Sequence, residues 1–233
     1  MVEVLKACQT CLDSPDSVFA ELSSEDKETL ANRHTARFYK RGEIIYQIGE
    51  RPSGVLCLAN GKVKIFQEGI TGREQIVRLA KPVGFIGYRA FFADENYKAS
   101  AVAIEDSVVC QFHREDVLRM VQNRPEMTMK ILRNLASELG VSNKRTVNLT
   151  QKHIRGRLAE SLLFLINTYG YEDDGSTIKA YLSREDLANL SNMTTSNAIR
   201  TLSNFATEGV LNVDGRRIRL VDQRKLERIS DLG

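Results

Sequence analysis

Between residues 35 and 112 short apolar runs are broken by glycines. Val55-Leu56-Cys57-Leu58, Val63-Lys64-Ile65-Phe66 and Gln75-Ile76-Val77-Arg78-Leu79 read as strands, punctuated by Gly42, Gly49, Gly54, Gly61, Gly69, Gly72, Gly84 and Gly87. Turn signals come about every ten residues, the rhythm of a small barrel or jelly roll. Val108-Val109-Cys110-Gln111-Phe112 reads as the closing strand, and Ser23 or Ser24 caps a helix start ahead of the roll. After Pro125, a residue suited to a first helical position, the spacing changes to three and four: Ile131, Leu132, Leu135, Leu139, Ser142, Thr146 and Leu149. That stripe runs for about six turns. Packing within one chain and a dimer seam both account for it, and its length favours the seam. The polar stretch Ser142–Arg145 weakens such a seam locally. A new amphipathic helix carries Ile154, Leu158, Leu162, Leu165 and Ile166, and Tyr171–Ser176 reads as a loop.

The segment Leu182–Gly209 predicts two capped helices and a tight turn. Ser183 caps the first, with Asp186 three residues on and the apolar pair Leu182/Leu187 around the cap. Thr194 caps the second, with Asn197 at the third helical position and Met193/Ala198 flanking. Ala198, Ile199, Leu202, Phe205 and Ala206 form its apolar side, and Gly209 ends it. The opposite side offers Thr195, Ser196, Arg200 and Asn204, groups that hydrogen-bond base edges. Alternation then continues on both sides of Asp214-Gly215, a pair that favours a two-residue type I′ turn. Arg216, Arg217 and Arg219 place positive charge on this wing. The pattern is that of a winged helix-turn-helix, whose second helix enters the major groove of double-stranded DNA. Thr194, Thr195, Ser196, Asn197, Arg200, Arg216 and Arg217 are its candidate DNA contacts. The competing reading is a small helical core with an ordinary hairpin.

Composition changes this picture little. The 233 residues suffice for two domains, and 42% hydrophobic with 27% charged residues is ordinary for a soluble protein. Net charge is only +3, so DNA affinity must come from local placement. The N-terminal MVEVLKACQT is not a signal peptide, and no apolar stretch approaches the roughly 20 residues of a membrane span. A cytoplasmic protein without membrane attachment is expected. His34, His113 and His153 are scattered, and no nucleophile elbow, phosphate-binding loop or zinc-protease motif occurs, so catalysis is not expected.

Gly42-Glu43-Ile44-Ile45-Tyr46, Asn60-Gly61-Lys62-Val63-Lys64, Gly84-Phe85-Ile86-Gly87 and Ser183 through Gly209 together resemble the cyclic-AMP receptor / fumarate-nitrate-reduction regulator (CRP/FNR) family of bacterial transcription factors. The resemblance covers nearly the whole chain. It implies an α+β protein: an N-terminal double-stranded β-helix (jelly-roll, cyclic-nucleotide-binding-like) domain over 1–124, a dimerisation helix over 125–149 and a winged helix-turn-helix over 150–233. It also implies a homodimer that binds a palindromic promoter site, contacts RNA polymerase and answers an effector sensed by the roll. The family reads bases with an Arg-Glu or Val-Glu pair and an Arg or Ser four residues after the glutamate; here Thr195, Ser196 and Arg200 occupy those places, so a different half-site is expected.

The resemblance places an effector pocket at Gly87, Tyr88, Arg89, Lys98 and Ser100. Tyr88 replaces the family glutamate and Ala99 the phosphate-binding arginine. A buried phosphate without a paired cation is costly, which argues against cyclic AMP as the ligand. Cys8-x-x-Cys11 has the spacing of a metal or redox pair. With Cys110 it resembles three ligands of the family's iron–sulfur branch, while Ser17 stands where the fourth belongs. A zinc set of Cys8, Cys11, Cys110 and His113 is the alternative. Haem sensing is a further branch activity that no residue singles out. The plain reading is buried free cysteine for Cys57 and Cys110, above all for Cys57, and a disordered terminus for Cys8 and Cys11.

Overall fold

The computed structural model describes residues 2–70 and 72–233, with side chains from residue 8 onward. In chain order the elements are α1 (Val2–Asp13), α2 (Ser24–Arg33), β1 (Thr35–Tyr39), β2 (Ile44–Tyr46), β3 (Gly54–Asn60), β4 (Val63–Glu68), β5 (Glu74–Ala80), β6 (Phe85–Ile86), α3 (Tyr88–Phe92), β7 (Ser100–Ala103), β8 (Ser107–His113), α4 (Arg114–Asn123), α5 (Pro125–Gln151), α6 (Ile154–Tyr169), α7 (Arg184–Leu190), α8 (Thr195–Thr207), β9 (Leu211–Asp214), β10 (Arg217–Leu220) and α9 (Gln223–Leu232). Two compact units divide the chain: Met1–Glu68 with Val77–Leu139, and Gly69–Ile76 with Gly140–Gly233.

The first unit carries a β-roll of two four-stranded sheets, ordered β1-β8-β3-β6 and β2-β7-β4-β5. All the described pairings are antiparallel. Strand β3 is buried from Gly54 to Ala59 because both of its faces are covered. Leu56 and Leu58 point into the roll with Tyr39, Tyr46, Val63, Ile65, Tyr97 and Val109. Val55, Cys57 and Ala59 point outward, into a second core shared with α1, α2, α4 and the start of α5. Period-two alternation sends neighbouring strand residues to opposite faces, so one apolar run serves both cores. Ser23 caps α2, its hydroxyl accepting from Asp26 N at 3.2 Å.

Helix α5 runs from Pro125 to Gln151. The single stripe expected from sequence resolves into two faces. Met127 and Ile131, with half-buried Leu135, pack into the core of the first unit. Met129, Leu132, Ala136, Leu139, Asn143, Thr146 and Val147 lie on the other side, all exposed. Ile131 and Leu132 are adjacent in sequence but about 100° apart around the helix, which separates their fates.

In the second unit α6, α7, α8 and the β9–β10 hairpin enclose a core that includes Leu158, Leu162, Leu165, Leu187, Leu202, Phe205, Leu211 and Ile218. Helix α9 packs onto α6, and Lys152, Glu160 and Ser230 join there. Lys152 Nζ and Ser230 Oγ both donate to Glu160, at 2.8 and 2.7 Å. Arg145, on α5, is largely buried within this unit. Its guanidinium donates to the Leu190 carbonyl at 3.0 Å at the C-terminal end of α7 and lies over the Phe164 ring. Burial lowers its pKa to about 10, which leaves it charged at neutral pH.

Candidate nucleic-acid interface

Both helix starts read from sequence form as local chemistry dictates. Ser183 accepts from Asp186 N at 2.9 Å, and the Asp186 carboxylate reaches back to the Ser183 amide, a complete capping box. Thr194 accepts from Asn197 N at 3.3 Å. The apolar pairs Leu182/Leu187 and Met193/Ala198 are buried on either side of their caps. The turn between the helices passes through Asn192 in the left-handed region, φ +50°, a conformation that asparagine tolerates better than most residues. Gly209, φ +71°, follows the end of α8.

Helix α8 buries Ala198, Thr201, Leu202 and Phe205. Thr194, Thr195, Ser196 and Arg200 are exposed, and Asn197 is half-buried. Arg200 donates from Nη2 to Asn197 Oδ1 at 2.9 Å, so the amide carbonyl steadies the guanidinium on the open face. Ile199 departs from its expected place in the core. It is 50% exposed beside Ser196 and Arg200, while Thr201 takes the buried position. Ile199 therefore stands as an apolar side chain among groups suited to base edges.

The wing also differs in one detail. Asp214 pairs with Arg217, Val213 with Ile218 and Leu211 with Leu220, so the two-residue loop is Gly215-Arg216. This register puts Leu211, Val213, Ile218 and Leu220 on one face; a loop at Asp214-Gly215 would have set Val213 opposite Arg216. Gly215 carries the positive φ, +53°. Arg216 therefore stands exposed at the tip. Arg217 lies 5.9 Å over the Tyr181 ring, and Arg219 donates to Ser176 Oγ at 3.1 Å. Arg184, in the first turn of α7, donates to the Gly215 carbonyl and ties the wing tip to the helix pair.

The five residues of the expected effector pocket each make their own local contacts. Arg89 and Lys98 are exposed and both pair with Glu95. Ser100 Oγ accepts from Ile48 N at 3.0 Å. A Cβ on Gly87 would come within 2.6 Å of the Tyr97 ring, which stacks on Tyr46 at 3.9 Å and helps fill the roll interior. Tyr88 faces a cleft of about 330 Å³ that is also lined by Arg78, Lys81, Asn134, Ser137 and Glu138. There Arg78 pairs with Glu138 at 2.6 Å and lies over the Tyr88 ring, while burial pushes the Tyr88 phenol upward.

The cysteines are placed with equal clarity. Cys8, Cys11, Cys57 and Cys110 are all buried in the core between α1 and the sheet. Ser17 is buried too, its hydroxyl donating to the Cys11 carbonyl and accepting from Phe19 N, so it is committed to the backbone. His113 is exposed at the end of β8, apart from the buried Cys110 three residues before it.

A β-roll followed by a long helix and a winged helix-turn-helix defines a class: transcription regulators that couple a sensing domain to a DNA reader. Comparison with known proteins makes it specific. The family model for the cyclic nucleotide-binding domain matches residues 36–124, and that for the Crp-like helix-turn-helix domain matches residues 156–229. The chain is 26% identical over 191 residues to the CRP-like cAMP-activated global transcriptional regulator of Mycobacterium tuberculosis, covering 82% of this chain and 85% of that protein. It is 22% identical over 221 residues to the transcriptional activator protein anr of Pseudomonas aeruginosa, covering 94% and 90%. The fold matches that of FixK2 from Bradyrhizobium japonicum with a TM-score of 0.76 at 23% identity, over 84% of this chain and 96% of that one. The chain belongs to the CRP/FNR family, as a transcription regulator with a helix-turn-helix DNA-binding domain.

Proposed function

We propose that the protein acts as a homodimer on a palindromic promoter site, with α8 of each protomer in a major groove. The exposed face of α8 carries this reading. Thr194, Thr195, Ser196 and Arg200 present hydrogen-bonding groups on the exposed face, with half-buried Asn197 beneath Arg200. Arg200, steadied by Asn197, is the best-placed reader of a guanine through its O6 and N7. Arg216 and Arg217 contact backbone phosphates beside it, fixing register without reading sequence. The exposed stripe from Met129 to Val147 is the dimer seam, and the two α8 helices then address half-sites about one DNA turn apart, ~34–36 Å.

The β-roll unit receives the signal. The cleft at Arg78, Tyr88 and Glu138 supports this, because Ile131, Asn134, Ser137 and Glu138 of α5 form one of its walls. A molecule lodged there bears directly on the seam helix. RNA polymerase is the further partner, a cytoplasmic location follows from the DNA target, and no catalytic step is assigned. No helix among the described residues is long and apolar enough to cross a membrane. Selection of bound sequences from a random duplex pool, with the full chain and with Arg200→Ala, tests the proposal. An inverted-repeat motif that loses its preference at one base pair per half-site in the variant is the expected result. A pool without enrichment overturns it.

A further inference from the structure

The four cysteines of the chain converge on one buried spot that also contains an imidazole. Cys8 and Cys11 stand about one helical turn apart on α1, and Cys57 and Cys110 are register partners on β3 and β8. Cys8 and Cys110 are joined as a disulfide, while Cys11 and Cys57 are free, buried thiols. A ring nitrogen of His34, the residue that ends α2, lies within 4.8 Å of the Cys8 and Cys110 sulfurs.

The state of His34 points to a ligand. Its Nδ1 lies 2.6 Å from the Ala31 carbonyl oxygen, which only accepts, so Nδ1 carries the proton. Nε2 is left with a bare lone pair. It is buried and has no hydrogen-bond partner among the described residues. An imidazole with one nitrogen fixed by a backbone carbonyl and the other unpartnered, on a ring that reaches within 4.8 Å of two cysteine sulfurs, is the arrangement of a metal-binding histidine. The donor types, two thiolates and one imidazole, suit a borderline-soft divalent cation such as zinc, with a fourth position for water or a neighbouring thiol.

We infer that in the reduced chain Cys8, Cys110 and His34 hold one zinc-type divalent cation, and that the Cys8–Cys110 disulfide is the oxidised, metal-free form of the same site. The donor set includes His34, which adjoined neither cysteine in sequence, and excludes Ser17 and the exposed His113. The exchange is balanced with a peroxide as oxidant. The two metal-bound thiolates surrender two electrons, the S–S bond forms and the cation leaves. The peroxide O–O bond breaks, and with two protons it departs as two waters. The site bridges α1, α2 and β8, so loading or oxidation alters how the N-terminal helices are held to the roll. It is separate from the DNA-reading face, and its test is independent of that reading.

The full chain is reduced without oxygen, equilibrated with zinc and freed of excess. About one zinc per chain is expected by mass spectrometry of the metal, and cobalt(II) in its place gives thiolate-to-metal charge-transfer absorption that zinc abolishes. Cys110→Ser removes that absorption. His34→Ala weakens zinc binding at least about tenfold, the scale seen when only an outer partner of a site is lost. His113→Ala leaves it unchanged. Peroxide releases the metal and links Cys8 to Cys110 in a peptide map. The wild-type cobalt spectrum decides the matter alone if a variant does not fold. A folded, reduced chain that retains no metal overturns the inference, as does equal binding by the His34 and His113 variants. A chain that takes up only iron and sulfide as a cluster overturns it too.

Discussion

Arg200 and Arg216 are both exposed arginines, and the proposed binding mode gives them different work. Arg200 is held by Asn197 at 2.9 Å on the helix face that a groove admits, whereas Arg216 stands free of that helix at the hairpin tip. Arg200→Ala should therefore cost about 1–3 kcal/mol at one base pair and relax the sequence preference there. Arg216→Ala should weaken binding to all sequences alike and flatten the salt dependence by about one unit of slope. Titrations of cognate and scrambled duplexes at several salt concentrations separate the two. Ile199 gives a third expectation. Ile199 leaves half of its apolar side chain exposed between Ser196 and Arg200. Ile199→Ala should leave stability within about 0.5 kcal/mol, as for an exposed site. It should reduce the preference for thymine at one half-site position, which single-base substitution across the site reads directly. A preference left unchanged at every position places Ile199 outside the contact.

Elements differ in how much of themselves the chain spells locally. The starts of α7 and α8 were legible because a cap, its third-residue partner and the flanking apolar pair lie within six residues. The glycine-punctuated roll was legible because turn chemistry is local as well. The wing register was not, since Asp214-Gly215 and Gly215-Arg216 are both acceptable turns and only pairing of Val213 with Ile218 decides between them. Nor were the two faces of α5, because a three–four spacing drawn through Ile131, Leu132 and Leu135 mixes residues bound for opposite sides. The cysteine site was half-legible. The CxxC pair and Cys110 stood out, but His34 and Cys57 join them only through the packing of α1 and α2 on the sheet. Gly140, midway along α5, permits a test at this scale. A Cβ there meets nothing within 4 Å, so Gly140→Ala should stabilise the helix by about 0.5–1 kcal/mol. Thermal unfolding checks the sign. A fall in midpoint instead of a rise means that a partner helix approaches too closely for a methyl group.

For the whole molecule the decisive quantity is the linkage of two DNA readers. Each protomer offers one short helix and one wing, and a net charge of +3 supplies little general attraction. A single half-site contact is then weak, and in the proposed dimer the second contact becomes intramolecular through the α5 seam. Such linkage is worth about 10²–10⁴ in apparent affinity. Leu139 is 62% exposed and is flanked on the stripe by the exposed Ala136 and Asn143. Leu139→Lys should therefore leave the protomer folded while placing two ammonium groups against each other in the dimer. Sedimentation should show a monomer at concentrations where the parent chain is a dimer. Affinity for an inverted repeat should fall by about two orders of magnitude or more, while affinity for an isolated half-site stays the same. The half-site measurement makes the result specific: a loss on both duplexes points to damage in the reader itself. A variant that remains dimeric removes the seam from α5 and leaves its exposed apolar stripe without the role assigned to it.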